Sequence, residues 1–167
     1  IVDLNETILI GGNQAQDQLA SAQAPWYQSG APDFANTDIL LGLLENEGAL
    51  DGAKVFVMGG NGDAVNHDPT IQALEDRGVE VVGDAMYVAD DGDTAAQDAE
   101  LQIITEQIKT DGATAVFIHG TASASIRGLA AAGLNETLDI WSNNPGSLNN
   151  LGQTIADRAV ADGVRTA

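Results

Sequence analysis

The stretch VFVMGGNGDAVNHDP, residues 55–69, begins like a buried strand and ends like the opening of a helix. The apolar run at 54–59 is continuous and contains branched and aromatic residues, as expected of a strand that is covered on both faces. Where the strand ends, glycines and small polar side chains follow: Gly59, Gly60, Asn61, Gly62 and Asp63. This order predicts a turn between a strand and a helix. The turn either has room for a phosphate, a metal or a small polar ligand, or is only a flexible connection.

The same alternation of strands and helices continues along the chain. Further strands are predicted at 79–88, 114–120 and 137–144, and a fifth begins within 160–167. Helices are predicted at 37–48, 68–78, 93–112, 121–134 and 147–159. Such alternation predicts an α/β fold, a Rossmann-like three-layer parallel sheet with helices on both faces.

The details of the first helices follow from their residues. In the helix at 37–48, the expected buried face consists of Ile39, Leu40, Leu43 and Leu44. Asp68 is the predicted N-cap of the helix at 68–78, and Pro69 is its first residue. Nearer the N-terminus the sequence predicts a short strand at 8–12, a helix at 15–26 and a run of turns at 27–36.

The composition is strongly acidic. Lys and Arg number 6 against 25 Asp and Glu, which gives a formal net charge of −19. A nucleic acid partner is therefore not expected, because binding a polyanion needs clustered basic residues. The chain has no cysteine, so disulfides and thiolate chemistry are excluded. No apolar run is long enough for a membrane span, and the first residues do not resemble a signal peptide.

Polar clusters end three of the predicted strands. They read GGNGD at 59–63, HGTAS at 119–123 and SNNPG at 142–146. Because ligands of open parallel sheets bind outside the carboxyl ends of the strands, we expect these clusters to lie together at one edge. Short polar side chains and free backbone N–H groups suit a small polar molecule. A single open edge leaves half of such a ligand in water, so we expect one half of a two-lobed binding protein.

Other chemistries lack their motifs. Neither G-x-G-x-x-G nor the P-loop pattern occurs, so nucleotide binding is not predicted. His67 and His119 are the two histidines, and no second metal-binding motif accompanies NHDP at 66–69, so no metal or other cofactor is expected. A small α/β hydrolase would have to use Ser123 or Ser125 with His119, but G-x-S-x-G is absent and we expect no enzyme.

Two long segments carry a resemblance to a known family. They are LDGAKVFVMGGNGDAVNHDPTIQALEDRGVEVVGDAMYV at 50–88 and DTAAQDAELQIITEQIKTDGATAVFIHGTASASIRGLAAAGL at 93–134. In order and spacing they resemble the second lobe of type I periplasmic binding proteins, and among these the solute receptors of branched-chain amino acid type ABC transporters. The resemblance implies two Rossmann-like lobes joined by hinge crossings. Residues 1–30 would be a remnant of the first lobe and a hinge crossing, and residues 31–167 the second lobe.

The resemblance also implies a function. It implies a periplasmic or extracellular protein, tethered as a lipoprotein in its complete form, that captures a small polar solute such as an amino acid between its lobes. The membrane subunits of an ABC transporter would be its partners, and a second copy of the chain is a further expected partner. The ligand-sensing domain of a receptor or of a LacI-type regulator is an alternative that the residues leave open.

The resemblance places ligand contacts in both lobes. Those of the second lobe are Asn61, Asp63, His119, Gly120, Thr121, Trp141, Ser142 and Asn143. Those of the first lobe are Asn13 and Gln14, where the family commonly has Ser or Thr. The residues themselves also allow structural roles: helix caps for Asn61, Asp63 and Thr121, a core-edge position for His119, and packing for Trp141.

Overall fold

The computed structural model describes residues 9–10, 26–27, 33–90, 92–144 and 163–166. In these ranges the strands are β1 (Leu9–Ile10), β2 (Trp26–Tyr27), β3 (Lys54–Gly60), β4 (Glu80–Tyr87), β5 (Ala115–His119), β6 (Asp139–Ser142) and β7 (Arg165–Thr166). The helices are α1 (Asp33–Asn46), α2 (His67–Glu75), α3 (Thr94–Asp111) and α4 (Ser123–Ala131), and a 3₁₀ helix spans Asn61–Asn66. Among the helices in these ranges, none has the length and apolar character that a membrane crossing requires.

Five strands form one parallel sheet in the order β4-β3-β5-β6-β7. The predicted parallel sheet is therefore confirmed. The chain passes from β3 to β4 on one side and then returns to place β5 on the other side of β3. The order of the strands thus reverses between β3 and β5, and in open α/β sheets this is where ligands bind.

The core lies in two layers, one on each face of the sheet. On one face α3 and α4 pack against residues that include Phe56, Met58 and Ile118. On the other face α1 and α2 pack against residues that include Val57 and Phe117. Alternate residues of β3 and β5 thus enter both layers, which explains why their sequences are continuously apolar.

The long helix α3 follows the sequence closely. Asp93 caps its start, because the Asp93 Oδ1 atom accepts a hydrogen bond from the Ala96 N–H at 3.0 Å. Gly112 ends it in the left-handed conformation, with φ of 68°. Leu101, Ile104 and Ile108 form its buried face. The expected pattern is thereby confirmed for this helix.

Helix α1 differs from the prediction in two respects. It begins at Asp33, inside the segment 27–36 that was predicted to contain only turns, since an acidic residue is favourable in the first turn of a helix. Its buried residues include Leu40, Leu41 and Leu44, whereas Ile39 and Leu43 are 57% and 44% exposed. The expected face was therefore wrong at these two exposed positions. The buried face of the helix begins at Thr37, which is fully buried. Because Thr37 is polar, a search for apolar residues at helical spacing does not find it.

The start of α2 was also predicted wrongly. The helix begins at His67, with Asn66 at the N-cap position, and Asp68 lies within the first turn. The preceding 3₁₀ helix occupies part of the predicted turn. Pro69 remains in the first helical turn, where backbone N–H groups have no partner within the helix in any case.

The remaining differences concern the ends of elements. Helix α4 is shorter than the predicted 121–134, and Trp26–Tyr27 form a strand where helix end and turns were predicted. That strand pairs in parallel with Leu9–Ile10, within the strand predicted at 8–12. The fifth strand of the main sheet is described as β7. The helix predicted at 147–159 lies outside the described residues, as does that at 15–26 apart from Trp26.

Candidate functional site

The glycines at the end of β3 make room for two aromatic rings. A Cβ atom on Gly59 would lie 2.3 Å from the Cε1 atom of His119. A Cβ atom on Gly60 would lie 3.1 Å from the ring of Tyr87, which is tighter than ordinary contact. Gly62, by contrast, has open space around it. Two of the three glycines are thus explained by packing beneath the sheet edge.

His119 is fully buried at the end of β5 and belongs to a chain of hydrogen bonds. Its Nε2 atom lies 2.8 Å from Nδ1 of His67, and Nε2 of His67 lies 2.9 Å from Oδ2 of Asp84. Burial, and to a smaller extent the neighbouring His67, lower the pKa of His119 from 6.5 to about 4. His119 is therefore uncharged at neutral pH.

The loop that follows His119 is held by side chains from other elements. The Gly120 N–H donates to Asn143 Oδ1 at 3.0 Å, and Asn143 Nδ2 donates to Thr37 Oγ1 at 2.9 Å. The Thr121 N–H donates to Asp63 Oδ2 at 3.1 Å. The loop is thus connected to α1, to the end of β6 and to the 3₁₀ helix, and it forms a fixed part of the sheet edge.

A cavity of about 380 Å³ opens beside this loop, at the carboxyl ends of β3 and β4. Its lining residues are Gly60, Asn61, Gly62, Asp63, Tyr87, Val88, Ala89, Asp90 and Thr121. One wall is held by Glu100 of α3, whose Oε2 atom accepts hydrogen bonds from the backbone N–H groups of Val88 and Ala89. The volume is within the range typical of small-molecule sites.

The charge of the cavity is negative. Asp63 and Asp90 are its two charged lining residues. The Lys and Arg residues of the described ranges form their ion pairs elsewhere, in the pairs Lys54–Glu80, Arg77–Asp38, Lys109–Glu106, Arg127–Asp98 and Arg165–Glu47. The described ranges contain no group of three or more His, Asp or Glu side chains arranged to hold a metal ion. The cavity therefore suits a neutral or positively charged polar group.

The expected ligand contacts fall into three groups. Asn61, Asp63 and Thr121 line the cavity. His119, Gly120 and Asn143 are buried and do not line it, and Trp141 and Ser142 are fully buried within the sheet. Trp141 packs in the apolar layer beneath α1 and α2, in agreement with its packing role. Asn13 and Gln14 lie outside the described residues.

Four lining residues were not predicted from the sequence: Tyr87, Val88, Ala89 and Asp90. They follow or end β4, the neighbour of β3 in the sheet. The signal was present in YVADD at 87–91, a strand end followed by acidic residues, but its proximity to Asn61 depends on the order of the strands. His67 is also buried, although no apolar pattern in the sequence indicated it.

No protein-family model matches this sequence, and no curated protein matches it significantly.

Solved structures nevertheless share the fold. A branched-chain amino acid ABC transporter protein from Rhodospirillum rubrum superposes with a TM-score of 0.66 at 14% identity, over 98% of this chain and 44% of that one. An amino acid ABC transporter substrate-binding protein from Pseudomonas fluorescens Pf-5 gives 0.66 at 15% identity, over 98% and 43%. A solute-binding protein of an ABC transporter from R. palustris, solved in complex with 4-hydroxybenzoate, gives 0.55 at 16% identity, over 84% and 44%. This chain thus has the fold of these transport proteins and spans less than half the length of each.

Proposed function

We propose that this chain forms the second lobe of a two-lobed protein that binds a small polar solute and delivers it to an ABC transporter. The observation that carries the proposal is the polar cavity at the carboxyl ends of β3 and β4, beside the reversal of strand order. Ligands of open α/β sheets bind outside the carboxyl ends of the strands, which is where this cavity lies. The shared fold of transport proteins that span about twice this length supports the two-lobed arrangement.

The mechanism that we propose is closure of two lobes around the solute. Residues 31–167 would form the second lobe, and residues 1–30 would belong to the first lobe and the hinge. Asn61, Asp63 and Thr121 present amide, carboxylate and hydroxyl groups to the solute, and Val88, 66% exposed, adds an apolar surface. A solute that contacts both lobes favours the closed form and shifts an existing equilibrium toward it.

The chemistry of the described residues favours binding over catalysis. The serine and histidine residues from which a hydrolase site would be built have structural positions: His119 is buried with its Nε2 atom bonded to His67, Ser125 is buried inside α4, and Ser123 is the partly buried first residue of α4. We therefore propose a binding protein without enzymatic activity. Its fold is consistent with a location outside the cytoplasm, and a lipoprotein tether belongs to this proposal. The acidic cavity favours a solute with an amino, amide or hydroxyl group directed toward this lobe.

Isothermal titration of the complete two-lobed protein tests the proposal. The panel contains amino acids, amides, polyols, short peptides and aromatic acids, including 4-hydroxybenzoate. We expect one class to bind with a dissociation constant in the micromolar range or below, roughly −8 kcal/mol or more favourable. No binding by any member, together with measurable turnover of one, would overturn the proposal.

A pair of variants locates the bound solute. Asn61→Ala removes a side chain that lines the cavity, and we expect the affinity to fall about tenfold, the cost of one lost hydrogen bond to a polar ligand. Asn46→Ala removes the same group from an exposed position at the end of α1 and serves as the control. Equal affinities of the two variants would place the solute elsewhere.

A further inference from the structure

Asp84, His67 and His119 form a hydrogen-bonded chain behind the cavity, and none of them lines it. We propose that they are positioning residues for the solute site and hold the segments that line the cavity in their binding arrangement. This inference rests on the proposed function, and it assigns to His119 a role other than direct contact with the solute.

Each member of the chain is attached to a different part of the cavity wall. His67 directly follows the 3₁₀ helix that supplies Asn61 and Asp63. Asp84 lies on β4, whose end supplies Tyr87 and the residues after it. His119 directly precedes Gly120 and Thr121. Two hydrogen bonds, of 2.8 and 2.9 Å, therefore connect all three segments of the wall.

The packing around His119 leaves little freedom for the chain to rearrange. The ring is fully buried and lies against the backbone of Gly59, so that even a Cβ atom there would be 2.3–2.7 Å from ring atoms. His67 is 4% exposed, and its ring meets that of His119 edge to face, with centroids 5.0 Å apart. Because close-packed interiors transmit displacements, a shift of either ring would reach the loops above it.

The hydrogen bonds also define which nitrogen atoms carry protons. A carboxylate only accepts, so Nε2 of His67 donates to Asp84. In the neutral ring Nδ1 of His67 is then an acceptor, and Nε2 of His119 donates to it. Nδ1 of His119 is left as a buried lone pair without a partner. The opposite arrangement would leave a buried N–H group unpaired, which is costlier. Asp84 thus orients both rings.

The variant Asp84→Asn tests this role, because it keeps the shape of the side chain and removes the carboxylate. The Asp84 side chain is 54% exposed, so we expect the variant to fold. Glu80→Gln is the matched control: it removes a carboxylate from the other end of the same strand, where Glu80 lies 4.0 Å from Lys54. Asp84→Glu restores the charge and serves as the conservative rescue.

Two measurements on the full chain are compared among these variants. Nuclear magnetic resonance of the histidine rings reports the protonated nitrogen atoms, and the backbone amide signals of Asn61, Gly62, Gly120 and Thr121 report the cavity wall. We expect both rings of the unchanged protein to be protonated at Nε2. We expect Asp84→Asn to alter the His67 tautomer, to shift these amide signals and to weaken solute binding about tenfold.

The outcomes separate this inference from the proposed function. If Asp84→Asn lowers only the melting temperature and leaves ring protonation, amide signals and affinity equal to those of Glu80→Gln, the positioning role is wrong. Protonation of either ring at Nδ1 alone in the unchanged protein also contradicts it. If no solute binds at all, the proposed function fails, while the ring and amide signals still decide whether Asp84 positions the cavity wall. Recovery of the unchanged signals in Asp84→Glu supports the inference.

Discussion

Gly120 combines a left-handed backbone with a neighbour that leaves no space for a side chain. Its φ angle is 71°, and a Cβ atom would lie 2.0 Å from Oδ2 of Asp63. The same carboxylate accepts the hydrogen bond from the Thr121 N–H. The absence of a side chain at Gly120 therefore permits the contact that joins the loops after β3 and β5.

We expect Gly120→Ala to lower the free energy of unfolding by roughly 3 kcal/mol, from backbone strain and the displacement of Asp63. Gly133→Ala is the control, because Gly133 has φ of 69° but open space around it, and strain alone should cost about 1 kcal/mol there. Urea unfolding measures both values. Equal losses would show that the contact with Asp63 adds nothing to stability.

His119 makes the stability of the chain dependent on pH. Its folded pKa of about 4 lies below the ordinary 6.5, so between these values the unfolded chain binds a proton that the folded chain does not. Stability from this residue is present above pH 6.5 and falls as the pH decreases toward 4. We expect a loss of about 2 kcal/mol between pH 7 and pH 5.

Urea unfolding at the two pH values measures this loss in the unchanged protein and in His119→Gln. The variant has no titrating ring at this position, so its stability should change less with pH. An equally steep dependence in both proteins would mean that other groups cause it.

At the scale of elements, α1 shows which of its faces is buried against the sheet. Leu41 is fully buried although it was not among the predicted face, whereas Leu43 is 44% exposed. We expect Leu41→Ala to lower the free energy of unfolding by about 2–5 kcal/mol, since it removes buried methyl groups and leaves a cavity. Leu43→Ala should cost less than about 1 kcal/mol. Urea unfolding provides the comparison, and a reversed order would assign the helix a different buried face.

The elements also show how far the sequence could predict the fold and the site. Strands β3 and β5 were predictable because both of their faces are covered and residues 55–60 and 115–118 are all apolar or small. The cavity wall contributed by Asn61, Asp63 and Thr121 was predictable because parallel strands end at a common edge. The part of the wall that follows β4 was not predictable, because its position beside β3 depends on the order of the strands across the sheet. That order is set by contacts between residues far apart in the sequence. Thr37 and His67 were missed since buried polar residues have no apolar pattern to reveal them.

At the scale of the whole molecule, the dominant property is the uncompensated negative charge of −19. The Lys and Arg residues of the described ranges already have acidic partners, so the remaining carboxylates repel one another. We expect the free energy of unfolding to rise when KCl is increased from about 0.02 M to about 0.5 M, because screening shortens the range of this repulsion. Urea unfolding in each salt concentration measures it. If the free energy of unfolding stays constant or decreases as KCl is raised, repulsion between carboxylates does not significantly lower the stability.

The complete burial of Trp141 in the layer beneath α1 and α2 has an experimental consequence. The sequence contains two tryptophans, Trp26 and Trp141, so Trp26→Phe leaves Trp141 as the one indole that selective excitation would observe. Its emission should be that of a shielded indole and should move to longer wavelength when the sheet opens to solvent. Solute added to the folded variant should change the intensity little, since the indole does not line the cavity. Trp141 would thus report unfolding of the sheet independently of whether the cavity is occupied.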